Sequence, residues 1–301
     1  MPNPAPNPLA ERMVAYLRNP AWVARRVAWE VLRRTRDEVV IPTDVGAVRV
    51  RTANRVIGTQ LYTRRAYEAA LMRGALEALA AAGHGVRGRT AADVGANIGM
   101  TTLALLHVAG ARRVVAVEPE PRNVADLRGN LTRNGVSERV AVHHAAASDR
   151  AGTVTLELAD VNYGDHRVRT AERSADGPFG EAARPTISVT ARTLDELLEG
   201  EADIAVLWID VQGHDAAVLR GAARTAARGV PAVTECWPYG AERAGVGRAE
   251  YLTALASHYR TAVALDEEGR PGPAGAVREV AGPVWDALAR GIADRTLVLL
   301  P

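Results

Sequence analysis

The stretch DVGANIG, residues 93–99, stands between the short apolar run TAA and the helical run MTTLALLHVAG. A plain turn from strand to helix needs one glycine or asparagine. Three such residues together mean that something must approach the backbone closely. Gly95 and Gly99 can take positive φ and carry no side chain. The helix that follows directs free N–H groups at the same point.

Outward from this turn the chain alternates. RRVVAVEP (112–119) reads as a strand, NVADLRGNLTRNG (123–135) as a helix, and RVAVHHAAAS (139–148) as a strand. GTVTLEL and TISVTAR read as two further strands around a polar segment, residues 160–185. TLDELLEG is helical, ADIAVLWIDVQG (202–213) a buried strand, HDAAVLRGAARTAAR a helix and VPAVTECWP a strand. The tail offers a helix over 247–257, a strand at YRTAVALD, a helix around Val284–Arg290 and a last strand TLVLLP. Strands alternating with helices predict an α/β fold with a parallel sheet and right-handed crossovers.

Upstream, Leu9–Arg36 has a helical pattern. Leu9, Met13, Tyr16 and Leu17 share a face, and seven arginines flank it. It reads as a helix packed on its own domain with a solvated basic face, or as a membrane-surface, partner-binding or homodimer arm. VVIP, AVRVRT and RVIGTQ, within 38–60, read as short strands around a TDVG turn, and 64–82 as a helix. The expected division is an N-terminal helical and β extension, 1–88, and a catalytic-type domain, 89–301, with a lid-like insertion at 160–185.

The chain has 301 residues, 48% of them apolar, and a net charge of +2. No apolar run approaches a membrane span, and MPNPAPNPLAERM lacks the pattern of a signal peptide. The lone Cys236 fits a reducing cytoplasm. All 37 lysine-plus-arginine residues are arginine, so no lysine base or Schiff base can form. Near-neutral charge and a single phenylalanine leave no basic stripe or stacking platform for nucleic acid.

Two ligand classes use a glycine-rich turn at a strand end. A dinucleotide needs G-x-G-x-x-G; here Asn97 and Met100 occupy the second and third glycine positions, so an NAD-dependent oxidoreductase is disfavoured. S-adenosylmethionine carries a sulfonium and an ammonium, and Asp93 suits that cationic end. Ala96, Met100 and Thr101 complete the turn and the helix start, with Asn97 fixing turn or ligand. Glu118, followed by Pro119, ends the second strand where an acid can accept both ribose hydroxyls of an adenosine. Asn123 and Asn130 fall on the next helix, the latter as a helix-end cap or a ligand contact. Ala146 ends the third strand, where a small residue lets adenine lie flat.

At this point the chain resembles the FkbM family of S-adenosylmethionine-dependent methyltransferases. DVGANIGMTTLAL, VVAVEPEPRNVADLRGN, AAASDRAGTVTL, VTARTLDELL, WIDVQGHDAAVLRGA and PAVTECW occur in the family's order. TRRAYE, with Tyr67 and Glu68, is similar to a segment that often precedes the domain. The resemblance implies a class I methyltransferase Rossmann-like sheet of seven strands, the last antiparallel. It also implies O-methylation of a small-molecule hydroxyl: a natural product, sugar or nucleoside-type metabolite. Where the family commonly has lysine and glutamate at the fourth strand, this chain has Trp208 and Gln212.

Abstracting the acceptor's proton needs a base at a strand end. Asp210, His214 and Glu235 are the catalytic candidates. Asp210 also faces the methionine part of the donor, and Asp215 reads as a helix-dipole partner. Gln212, Trp237, Asn162, Tyr163 and His166 are candidate pocket residues for the acceptor. No metal-ligand spacing is present, and none is expected to be required. A binding protein that keeps the donor fold without turnover is the remaining alternative.

Overall fold

The computed structural model describes residues 20–66, 68–169 and 177–301. Leu9, Met13, Tyr16, Leu17 and Tyr67 lie outside these. Helix α1 (Pro20–Thr35) docks through Trp29, which is fully buried and meets Tyr62 with ring centroids 5.4 Å apart. A hairpin follows, β1 (Glu38–Thr43) and β2 (Gly46–Arg51).

RVIGTQ, expected as a strand, is part of helix α2 (Arg55–Arg64). Asn54 caps its start by accepting the Ile57 N–H at 3.2 Å. Such a cap overrides the β-branched character of Val56 and Ile57. The helix expected over 64–82 therefore divides. Arg65 is left-handed and ends α2, and α3 covers Ala69–Ala81.

The alternating unit then runs β3 (Thr90–Val94), α4 (Met100–His107), β4 (Arg113–Glu118), α5 (Pro121–Arg133), β5 (Val140–His144) and β6 (Ala146–Ser148). Beyond lie β7 (Gly152–Glu157), β8 (Arg167–Arg169), β9 (Thr186–Thr193), α6 (Leu194–Leu197), β10 (Ile204–Ile209), α7 (Asp215–Arg220), α8 (Ala223–Ala227) and β11 (Ala232–Cys236). The tail is α9 (Pro238–Arg243), α10 (Arg248–Ala256), β12 (Thr261–Ala264), β13 (Gly275–Ala276), α11 (Val277–Leu288) and β14 (Arg295–Leu300). Among the described residues no helix is long and apolar enough to cross a membrane.

Three further expected elements differ. The strand read over 139–148 is two strands, because the chain leaves the central sheet after His144 and β6 joins a separate sheet, ordered β6-β9-β7-β8. The helix read over 214–228 breaks at Gly221, where a Cβ would lie 2.0 Å from the Ser148 carbonyl oxygen. The helix read around 284–290 begins earlier, at Val277, and tolerates Pro283.

The central sheet has the order β13-β12-β14-β11-β10-β3-β4-β5, eight strands against the seven expected, the extra one being the two-residue β13. β14 runs antiparallel to both β11 and β12. β3, β4 and β10 are apolar runs buried on both faces, the signature of a parallel sheet between helix layers. One layer packs Leu103, Leu127 and Val298 with Trp29 and Leu79 from the N-terminal elements. The other packs Val218, Leu252, Trp285 and Leu299. Connections diverge on either side of the β3–β10 pair, so the strand order reverses there. That reversal opens a crevice at the carboxyl ends.

The hairpin is fastened to this body by side-chain amides that imitate a strand. Asn130 on α5 accepts the Arg49 N–H at 2.7 Å and donates to the Arg49 carbonyl at 3.2 Å and the Ile98 carbonyl at 2.9 Å. One turn on, Asn134 accepts the Ala47 N–H and donates to the Ala47 carbonyl, both at 2.9 Å. Residues i and i+4 of a helix thus pair with residues i and i+2 of an open strand edge. Asn130 is therefore neither a solvated cap nor a ligand contact. It is fully buried and holds hairpin to turn.

Asn130→Ala leaves the Arg49 N–H and two carbonyls without partners, at a cost of about 2–4 kcal/mol. Urea denaturation should show that loss, and amide exchange at Arg49 should quicken more than at the β4 amides. Unchanged stability would remove the amide from this role.

Candidate active site at the carboxyl ends of the central strands

A cavity of about 230 Å³ opens at the strand reversal. The register of the sheet assembles it. Val94 pairs with Ile209 on one side and with Val117 on the other, so the chain leaves β3, β4 and β10 at one level. The Gly95 and Ala96 N–H groups both donate to the Val117 carbonyl, at 2.9 and 3.0 Å. Gly95 has φ +90°, and a Cβ there would lie 1.8 Å from the Asp210 carbonyl oxygen. Only glycine lets the two loops close on each other.

Of the residues expected to meet the donor, Gly95, Ala96, Asn97, Met100, Thr101, Glu118, Pro119, Asn123, Ala146 and Asp210 line the cavity. Glu68, Asn162, Tyr163, His166, Gln212, His214 and Glu235 line it as well. Three expected residues do not. Asp93 is buried behind the turn, where its carboxylate accepts the Thr102 hydroxyl of α4. Gly99 starts α4 at φ +96° and packs on Leu127. Trp237 donates its indole N–H to the Ile292 carbonyl at 2.9 Å and flanks the Arg167 guanidinium at 4.6 Å. Asp294, Ile57, Ala145 and Leu156 line the cavity without having been expected. Asp294 sits in a loop just before the last strand, and only the antiparallel β14 brings it alongside Glu235.

Glu118 lies at one end. Its carboxylate accepts the Asn97 N–H at 2.8 Å and the Glu120 N–H at 2.9 Å. Burial pushes its carboxyl up to about 7. The Asn123 amide is committed to protein, accepting from Arg51 at 2.9 Å and donating to the Tyr163 carbonyl at 3.0 Å. Asn97 is left-handed, and its Oδ1 is buried without a hydrogen-bond partner.

The other end is acidic. Burial, with Asp294 and Asp165 nearby, raises the Asp210 carboxyl to about 6. Glu235 is raised well above the ordinary carboxylate range by burial and then by Asp210, Asp294, Asp215 and Glu68. Asp294 sits exposed at the rim of the cavity, its carboxyl raised by partial burial. Gln212 explains its own departure from glutamate: its Nε2 donates to Asp210 Oδ1 at 2.6 Å, which a carboxylate could not do. Asp215 accepts the Thr234 hydroxyl at 2.7 Å and the Gly213 N–H at 3.2 Å. It braces the loop against β11.

Both histidines stay neutral. His214, with Nε2 3.0 Å from the Ser148 hydroxyl, is pushed down to about 4, first by burial. His166 is also pushed down to about 4 by burial, and its Nδ1 accepts the Ala159 N–H at 3.0 Å. Among the described residues no group of His, Cys, Asp and Glu is arranged to hold a metal ion.

The insertion covers the cavity with Asn162, Tyr163 and Gly164. Its root is clamped. Arg167 pairs with Asp165 at 2.6 Å and Glu181 at 2.9 Å, and Arg184 donates to the Asp165 carbonyl at 2.7 Å. From the N-terminal side, Arg55 N–H donates to the Val161 carbonyl at 2.9 Å, and the Arg51 guanidinium lies 4.4 Å from the Tyr163 ring centre.

Residues 93–239, just under half of the chain, match the model of the methyltransferase FkbM domain. The 2-O-methyltransferase NoeI of Sinorhizobium fredii is 28% identical over 142 residues, which are 44% of this chain and 57% of the relative. The match thus spans little more than half of that protein's length. Among solved structures, methyltransferase FkbM from Methylobacillus flagellatus KT is 15% identical with a TM-score of 0.42, covering 95% of this chain and 60% of its own. The tRNA methyltransferase TrmK of B. subtilis is 12% identical with a TM-score of 0.38, covering 76% and 64%. Likenesses at these scores carry no functional weight. The motifs around the crevice and the family match coincide, and residues 93–239 form a methyltransferase domain of the FkbM family.

Proposed function

We propose that this chain is a cytoplasmic S-adenosylmethionine-dependent O-methyltransferase that methylates a hydroxyl of a small molecule: a natural product, sugar or nucleoside-type metabolite. One observation carries the reading. Among the described residues the cavity is lined by five carboxylates, Glu68, Glu118, Asp210, Glu235 and Asp294, and by no arginine. Such a cavity suits a ligand with a sulfonium and an ammonium. It opposes the pyrophosphate of a dinucleotide.

The donor supplies an electrophilic methyl group: an O–C bond forms, the C–S bond breaks to a neutral thioether, and the hydroxyl proton goes to a base. Glu118 is positioned for the ribose, and Ala146 for the adenine. Asp210, held by Gln212, faces the cationic end. Backbone N–H groups at the start of α4, together with the Thr101 hydroxyl, are the donors that Gly99, Met100 and Thr101 can offer a carboxylate. Glu235 is the base we assign, because burial and like charges raise its proton affinity. His214 is a poor base, since its conjugate acid is already stripped at about pH 4.

Titration calorimetry with S-adenosylhomocysteine tests the donor site. Glu118→Ala should weaken binding by roughly 1–3 kcal/mol through loss of a charged acceptor. An unchanged affinity would remove Glu118 from the site, and NAD binding in place of S-adenosylhomocysteine would overturn the whole reading.

The pH profile follows from the raised carboxyls. Asp210 and Glu118 must ionise to meet the donor, at about 6 and about 7. The donor's kcat/KM reports the free enzyme, so it should climb as pH rises through that window. In Asp210→Asn the lower part of the climb should vanish. A profile flat between pH 5 and 8 would contradict these assignments.

Glu235→Gln should cut kcat by about 10²–10⁴-fold, the usual worth of a general base, with S-adenosylhomocysteine affinity retained. His214→Gln should cost far less. The reverse ranking would return the base to His214.

A further inference from the structure

We propose that residues 9–17 fold back along helix α1 and cover its outward face, so that the chain's own N-terminal segment is the partner of that face.

Helix α1 is apolar on two sides. One side docks on the body of the protein through the fully buried Trp29. The other carries Val23, Val27 and Val31, which are 38%, 60% and 58% exposed, with Ala24 exposed among them. The described residues leave this stripe open. A helix that is apolar all round belongs in a buried place. Its arginines do not prepare it for a lipid surface. Arg26 and Arg33 lean on Glu30, at 3.7 and 2.6 Å, and Arg25 donates to the Thr63 carbonyl at 3.2 Å. A membrane-surface helix would present these groups to headgroups. Three valines and an alanine are also a small stripe beside the ~800 Å² per partner of a stable dimer.

Residues 1–19 lie outside the described residues, and they end where α1 begins. They hold an apolar set of their own, Leu9, Met13, Tyr16 and Leu17. Two Asn-Pro pairs bound that set. Asn7–Pro8 precedes it and Asn19–Pro20 follows it, and Pro20 is the first residue of α1. Asparagine followed by proline is a helix start, with asparagine as the cap and proline in the first turn. A proline also disfavours helical conformation in the residue before it. A helix opened by Pro8 is therefore stopped before it can run on into α1. The connection left is Arg18–Asn19, and two residues are enough to join antiparallel neighbours.

The register carries the proposal. Antiparallel pairing about that connection sets Leu17 against Val23, Tyr16 against Ala24, Met13 against Val27 and Leu9 against Val31. All four apolar positions of the segment thus meet apolar positions of α1 in a single register. Leu9 to Leu17 and Val23 to Val31 are the same distance, about 12 Å along a helix. A helix this short is marginal in water by itself, and the stripe on α1 offers the apolar surface that it lacks.

Paired cysteines in the full chain test the register; the native Cys236 is buried. Met13→Cys with Val27→Cys, and Leu9→Cys with Val31→Cys, should each close a disulfide within one chain. Mild oxidation at low protein concentration is used, and peptide masses identify the link. Ala15→Cys with Val27→Cys puts one thiol on the far side of the segment. It should close about tenfold more slowly or not at all, because thiols that point apart cannot bridge. Amide exchange on the unaltered chain gives an independent reading. The amides of residues 11–17 should be protected, and Val27→Asp should release them while the β3 and β4 amides stay protected. Equal closure by all three pairs would mean a segment without this register. Links between chains would mean that a second copy covers the stripe. Either result, unprotected amides over 11–17, or binding to phosphatidylserine vesicles that Val27→Asp abolishes, would overturn the proposal.

Discussion

Carboxylates held out of water at the carboxyl ends of β3, β4, β10 and β11 set the terms for everything around them. Each carries a desolvation cost that raises its proton affinity. Asp93 reaches about 7 for this reason first, and Asp215 does likewise. Two of them are offset by protein hydroxyls, Thr102 for Asp93 and Thr234 for Asp215. These two brace the loops. The carboxylates that line the cavity, Glu118, Asp210 and Glu235, are the ones whose cost a cationic ligand could relieve. The protein is thus divided between acids that hold the site and acids that wait for something.

The walls around that site come from distant parts of the chain. Asn130 and Asn134 attach the hairpin to α5 by mimicking strand pairing. The hairpin in turn carries Arg49 and Arg51, which pair with Asp126 at 2.7 and 2.6 Å. Arg51 continues to Asn123 and the Tyr163 ring. One connected set of contacts therefore runs from the N-terminal extension through α5 to the insertion above the cavity.

What could be read from the sequence follows from how local each feature is. The glycine turn, Glu118 at a strand end and the apolar runs of β3, β4 and β10 are local, and they predicted the crevice and most of its lining. RVIGTQ was misread because its β-branched residues favour a strand, while the deciding cap, Asn54, lies just outside the run. Asp93 carries the motif yet faces α4, since a strand-end side chain can point to either side of the sheet. Asp294 was invisible: nothing in ADRT marks a site, and only the antiparallel insertion of β14 beside β11 brings it to Glu235. The role of Asn130 needed the hairpin's register, which no spacing within α5 encodes.

The absence of lysine gives these features a common logic. Histidine apart, every cationic side chain available to the fold is arginine, always charged and best matched by planar acceptors. Arginines accordingly act as clamps on the outside of the site: Arg49 and Arg51 on Asp126, Arg167 on Asp165 and Glu181, Arg184 on Asp165. An arginine placed within the cavity would neutralise the acids permanently, because it cannot lose its proton. Trp208, where the family commonly has lysine, is instead almost wholly buried and walls a small neighbouring cavity with Met72 and Arg73. The Asp210 carboxylate still needs a donor, and Gln212 supplies a neutral one. That choice holds Asp210 in place without spending its charge, so that the attraction for a cationic ligand remains.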